Sequence, residues 1–170
     1  MSGTTMPSVV DLLITRWNAL LTGGTFPAGT FIADGYPGPD IPTVMVAVGG
    51  TPEPTAEGTQ TWAYLGAKTK EENYKVQAVV SVGFGGDGEQ AEVTGADAQQ
   101  AARNLAYTVG HAIESDLIAD PTLGQFFNTP PVKGGWAGIE DMALMQTDED
   151  SAAMGVLAEM RITIAVKALI

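Results

Sequence analysis

Residues 155–170 read GVLAEMRITIAVKALI, and the periodicity of this stretch decides the fold. Every second position from Met154 through Met160, Ile162, Ile164 and Val166 to Ile170 is apolar, while Glu159, Arg161, Thr163 and Lys167 fall between them. That is the two-residue period of a strand with one buried face. Coiled as a helix, the same apolar residues would spread round the whole cylinder. The β-branched run Ile162, Thr163, Ile164 adds a further bias against it. A strand of about fifteen residues needs neighbours, because an uncovered edge presents a row of unpaired amides and carbonyls.

The best partner lies at residues 74–84, where Tyr74, Val76, Ala78, Val80, Val82 and Phe84 alternate in the same way. This run reads as the second arm of a hairpin, with Trp62–Gly66 as the first arm and Lys68–Asn73 as a charged tip. Upstream, GTFIADG (Gly29–Gly35) predicts a short strand, and the unbroken apolar run TVMVAVGG (Thr43–Gly50) predicts one buried on both faces. Gly49–Thr59 reads as a turn-rich linker. Trp136–Thr147 predicts a further strand, reversed into the last one by the acidic turn Asp148–Asp150.

Two helices complete the pattern. In PSVVDLLITRWNALLTGG, Ser8 is placed as the N-cap, Asp11 as the capping-box acid and Gly23 or Gly24 as the stop. Its stripe is Val9, Leu12, Leu13, Trp17, Leu20 and Leu21. The second helix is capped by Thr94 with Asp97. It carries Ala98, Ala101, Ala102, Leu105, Val109, Ala112, Ile113 and Leu117 at helical spacing, and ends before Pro121. The order helix, four strands, helix, two strands predicts a single α+β domain over 1–170, a mainly antiparallel sheet with two helices packed on one face.

Composition narrows the function. The chain has 8 basic and 20 acidic residues, a net charge of −12, which is too few and too diluted cations for tight nucleic-acid binding. There is no cysteine, which excludes disulfides and thiolate chemistry. No window reaches the ~18 apolar residues of a membrane span, and the start lacks a basic n-region, so a soluble protein made in the cytoplasm is expected.

The motifs do not build an enzyme. GFGGDG (Gly83–Gly88) has the spacing of a dinucleotide fingerprint, but Asp87, Glu89 and Glu92 crowd the place where pyrophosphate would sit and the helix begins too late. His111 is the only histidine, with no acid at metal spacing. Glu71–Glu72, Glu140–Asp141 and Asp148–Asp150 lack the alternation of a calcium loop and read as solvated turns or acidic surface. No serine has an elbow motif. No catalytic residue, metal or cofactor is therefore expected.

The whole chain resembles the tail terminator proteins of long-tailed siphophages, in the short form found with actinobacterial hosts. The resemblance rests on order and local character: the helix ending LLTGGTFP, then GTFIADGYP, IPTVMVAVGG and the hairpin TWAYLGAKTKEENYKVQAVVSVGFGGDG. After these come the helix ARNLAYTVGHAIESD leading to DPTLGQ, and the final GVLAEMRITIAVKALI. It implies a homo-oligomeric ring, usually a hexamer, on the head-proximal end of the tail tube. There it would stop tube growth and offer a docking surface to the head. The partners it implies are further copies of the chain, the major tail tube protein and a head-completion or connector protein, with DNA passing through unbound and no membrane. The implied place is the tail-neck region of the virion, assembled in the host cytoplasm. A head-closure or neck adaptor joining portal to tail is the alternative of similar build. Under the resemblance, Lys68, Lys70, Glu71, Glu72, Arg161 and Ile164 are candidates for the subunit or tube interface. Asp87 and Glu89 are candidates for acids lining the bore, where like charge would keep DNA from sticking.

Overall fold

The computed structural model describes residues 4–35, 43–49, 54–62, 69–83, 96–146 and 156–170. Helix α1 (Met6–Thr22) precedes strands β1 (Thr30–Asp34), β2 (Val44–Val48), β3 (Ala56–Trp62) and β4 (Lys70–Gly83). Helix α2 (Ala96–Ala119), a 3-10 turn (Phe126–Asn128) and strands β5 (Gly134–Gln146) and β6 (Val156–Leu169) follow. The expected class is the observed one: α+β, with a mostly antiparallel six-stranded sheet and both helices sharing one core with the same sheet face.

β4 and β6 form the spine. They pair antiparallel from Glu71 opposite Leu169 to Gly83 opposite Val156, about 45 Å at the usual rise per residue. Their even-numbered residues, among them Tyr74, Val76 and Val80 on β4 and Met160, Ile162 and Ile164 on β6, are buried under the helices. On β6 and the Glu72–Val76 part of β4 the alternation read from the sequence is the alternation of burial, while Ala78–Gly83 are buried on both faces. β2 and β3 share the other edge of β4 end to end, β2 opposite Ala78–Val82 and β3 opposite Lys70–Val76. At the junction the Gln77 N–H donates to Thr55 O (2.9 Å), and the Gln77 carbonyl accepts from Gly49 N–H (2.7 Å). β5 lies outside β6, and β1 pairs parallel with β2. All five residues of β2 are buried, as a run without alternation implies.

Three local expectations are corrected. β3 occupies 56–62, partly within the stretch read as linker, and β4 begins at Lys70, so Lys70, Glu71 and Glu72 belong to a strand and not to a hairpin tip. The reason is that β3, AEGTQTW, is largely exposed on both faces, which leaves no hydrophobic period to read. Thr5, not Ser8, precedes the first turn of α1, and its side chain turns to β4 instead of capping its own helix. On α2, Ala106 and Gly110 are buried and Ala101 is exposed, because the helix lies close on β6: a Cβ on Gly110 would run into Sδ of Met160. Thr94 lies outside the described residues. β5 carries a bulge, where Ile139 opposes Ile164 and Asp141 opposes Thr163, leaving Glu140 as the extra residue.

The two helices are tied by Arg16. Its Nε and Nη2 donate to the two Asp116 carboxylate oxygens (2.8 Å each), and Nη1 donates to Asp120 (2.7 Å). Asp120 also accepts from the Thr122 hydroxyl (2.6 Å) and Gly124 N–H (2.6 Å). These bonds, the Thr122 hydroxyl first and Arg16 next, hold the Asp120 carboxyl at about 2. A carboxyl lowered on folding stabilises the fold above its unfolded value near pH ~4, and that contribution is lost as pH falls through the folded value. In acid titrations followed by circular dichroism, Asp120→Asn should therefore be less stable than the parent at neutral pH. The gap should close between about pH 4 and 2; a gap unchanged at pH 2 would contradict it.

Candidate functional site

Both helices lie on one face; on the other, the odd-numbered side of the β4–β6 spine is open from Glu71 to Lys75 and buried at Val79 and Ser81. Cross-strand register sets its rows: Glu57 and Lys75 with Ala165 and Gly138, then Thr59 and Asn73 with Lys167 and Trp136. These rows line a shallow groove of about 780 Å³. Its floor is low where the small Ala165 lines it. A Cβ on Gly138 would lie 3.6 Å from the Trp136 ring, so the indole, 47% exposed, extends along its own strand.

The groove is edged by ion pairs. Lys75 Nζ donates to Glu140 (2.9 Å), the bulge residue, which reaches across β6, and Lys167 Nζ donates to Glu71 (2.9 Å). The Asn73 amide, followed by Lys167, draws the Glu71 carboxyl below the usual range. Further along, Arg161 pairs with Glu159 (2.9 Å) and the Thr163 hydroxyl donates to Gln77 (3.1 Å). Exposed pairs of this kind contribute about 0–1 kcal/mol each, so they order the surface more than they hold the fold. At the other end, Ala33, Met45, Ala47 and Val79 form a separate buried apolar cluster. The open face thus grades from charged to apolar along the strands.

The sequence matches no described protein family and no curated protein. Function is therefore argued from the residues alone. Among the described residues no group of three or more His, Cys, Asp and Glu is placed to hold a metal. Likewise, no described helix is long and apolar enough to cross a membrane. His111 is exposed on α2, 3.0 Å from Glu114. Of GFGGDG only Gly83 is described, at the end of β4.

The sequence candidates separate. Glu71 and Arg161 do lie on the open face. Lys70 sits at the hairpin end, its Nζ 5.2 Å from the centre of the Trp62 ring. Ile164 is fully buried, because its even position on β6 points into the core, so it is not an interface residue of the folded chain. Lys68, Asp87 and Glu89 lie outside the described residues.

Glu72 is also a correction. It is fully buried, its carboxylate accepting the Thr5 N–H (2.8 Å) and hydroxyl (2.5 Å) at the start of α1, with the Gln60 amide on its other oxygen. The Thr5 hydroxyl also meets the Tyr74 hydroxyl (2.9 Å). Burial, with Glu72 adding to it, pushes the Tyr74 phenol above its ordinary value. Glu72 thus caps a helix from a distant strand, where the positive end of the helix favours a carboxylate. Glu72→Gln puts an amide N–H₂ among donors and should cost about 2–3 kcal/mol. Urea unfolding would measure it, and a loss below about 0.5 kcal/mol, within the range of ordinary surface substitutions, would show that the network is not stabilising.

Trp136, Lys75 and Lys167 were not singled out in the sequence as site residues. The signal that could have found them is Trp136 two positions before Gly138, a large ring with room to lie along its strand.

Proposed function

We propose that the chain is a structural subunit of a phage tail, forming a ring of six copies that caps the head-proximal end of the tail tube, ends its growth and receives the head. The observation that carries this reading is the one-sided placing of the helices: both cover a single face, leaving the charged half of the other face and the strand edges for neighbouring subunits. The charge of −12 suits a conduit through which DNA passes without adhering. The major tail tube protein would lie on one side of the ring and a head-completion protein on the other.

Electron microscopy of tails assembled with and without this reading frame tests the proposal. Tubes of uncontrolled length in its absence are expected. Tails of normal length beside unjoined heads would overturn it in favour of a neck adaptor between portal and tail.

A further inference from the structure

The two outer strands of the sheet, β1 and β5, each have one strand neighbour among the described residues. Their directions follow from the pairings: β1 runs parallel to β2, β2 antiparallel to β4, β4 to β6 and β6 to β5. β1 and β5 therefore run in opposite directions at opposite edges. A copy set beside the first in the same orientation brings β5 against β1 as an antiparallel pair.

In that placement residues of one row become neighbours. Phe31, Met45, Ser81, Glu159 and Met145 stand in one row across the sheet. Sideways repetition thus places Phe31 beside Met145, Ile32 beside Leu144 and Ala33 beside Ala143. Phe31 and Met145 are both on the open face, 46% and 42% exposed. Ile32 and Leu144 are both on the helix face, partly buried against the core. Like meets like on both faces, and a slip of one residue would exchange the faces and lose the match.

We propose that β5 of one copy pairs with β1 of the next, joining their sheets across a heterologous contact in which Phe31 packs on Met145. Opposite strand directions at the two edges, with apolar side chains at matching rows of both, Phe31 and Met145 exposed and Ile32 and Leu144 half-buried, point to a second copy as the occupant. The β3 edge does not offer the same fit, since Glu57, Thr59, Gln60 and Thr61 are polar and exposed. The inference rests on the ring reading only for closure: a head-to-tail contact gives a ring where its rotation closes and a filament where it does not.

The absence of native cysteine makes the test clean. Phe31→Cys and Met145→Cys chains are prepared singly and together and treated with a short bismaleimide, with circular dichroism to check that each folds. The expected result is no cross-linking in either single variant, dimers when the two are mixed, and a ladder of multimers from the double variant. Cross-linking of Met145→Cys to itself as strongly as in the mixture would mean a two-fold contact and overturn the proposal. So would a mixture that gives no dimers at any concentration. Should either cysteine unfold the chain, sedimentation of Met145→Lys mixed with Phe31→Glu reads the same pair: association lost in each alone and restored in the mixture is expected, and association unchanged in each alone overturns it. The ring reading fails by a different result, tails that keep their length without the protein.

Discussion

Ile164→Asp abolishes the cooperative thermal transition of this chain. Ile164 lies opposite Val76 on one side and Ile139 on the other, fully buried beneath the helices at the middle of β6. Truncation alone, Ile164→Ala, removes the transfer energy of the lost methyl groups and leaves a cavity, about 3 kcal/mol together. For a chain of this size that lowers Tm by about 6–12 °C. The aspartate adds an unpaired carboxyl that must stay charged at a cost of several kcal/mol or take up a proton. With total stabilities of about 5–15 kcal/mol, that is enough to empty the native state. Differential scanning calorimetry separates the two variants: a lowered but cooperative peak for alanine, none for aspartate. An Asp variant melting within a few degrees of the parent would mean that residue 164 is reachable by solvent and would return it to the list of surface candidates.

Trp17→Ala should be the most damaging truncation on the helices, at about 3–5 kcal/mol. Trp17 is among the largest fully buried side chains, the last of the stripe Val9, Leu13, Trp17 that seats α1 on the sheet. Its indole N–H is buried without a hydrogen-bond partner among the described residues. Leaving such a donor dry costs about 1–3 kcal/mol, so the residue holds its place through volume and against that penalty. Trp17→Phe, which loses some volume but also the dry donor, should therefore cost much less than alanine, about 1 kcal/mol. Chemical denaturation of both variants decides this. Equal losses in Phe and Ala would show that the N–H is satisfied and that its bond, more than the ring, is what matters.

The parts of the fold legible in the sequence are those whose side chains alternate because one face is dry. β6 and the Tyr74–Val82 part of β4 were read almost residue by residue, and their pairing with them, since the core records its own period in Val76, Val80, Ile162 and Ile164. β2 was legible for the opposite reason, an apolar run without a period. β3 was not, because a strand wet on both faces is specified by its backbone and by the neighbour that pairs with it. Glu72 was misread for a related cause: in sequence it is one acid in a charged run, and only the arrival of Thr5 and Gln60 from 67 and 12 residues away makes it a buried acceptor. The open-face groove depends on cross-strand neighbours such as Lys75 and Glu140, 65 residues apart, which no local pattern joins.

The division of β4 between two partners on one edge also sets its tempo of opening. Amides bonded toward β2 lie in strands whose flanking side chains are dry on both faces, and they open only with the whole fold. Amides bonded toward β3 lie beside a strand wet on both sides, and they can open as that strand peels away. Gln77, bonded to the ends of both segments, is where deuterium uptake along one continuous strand is expected to change from slow to fast.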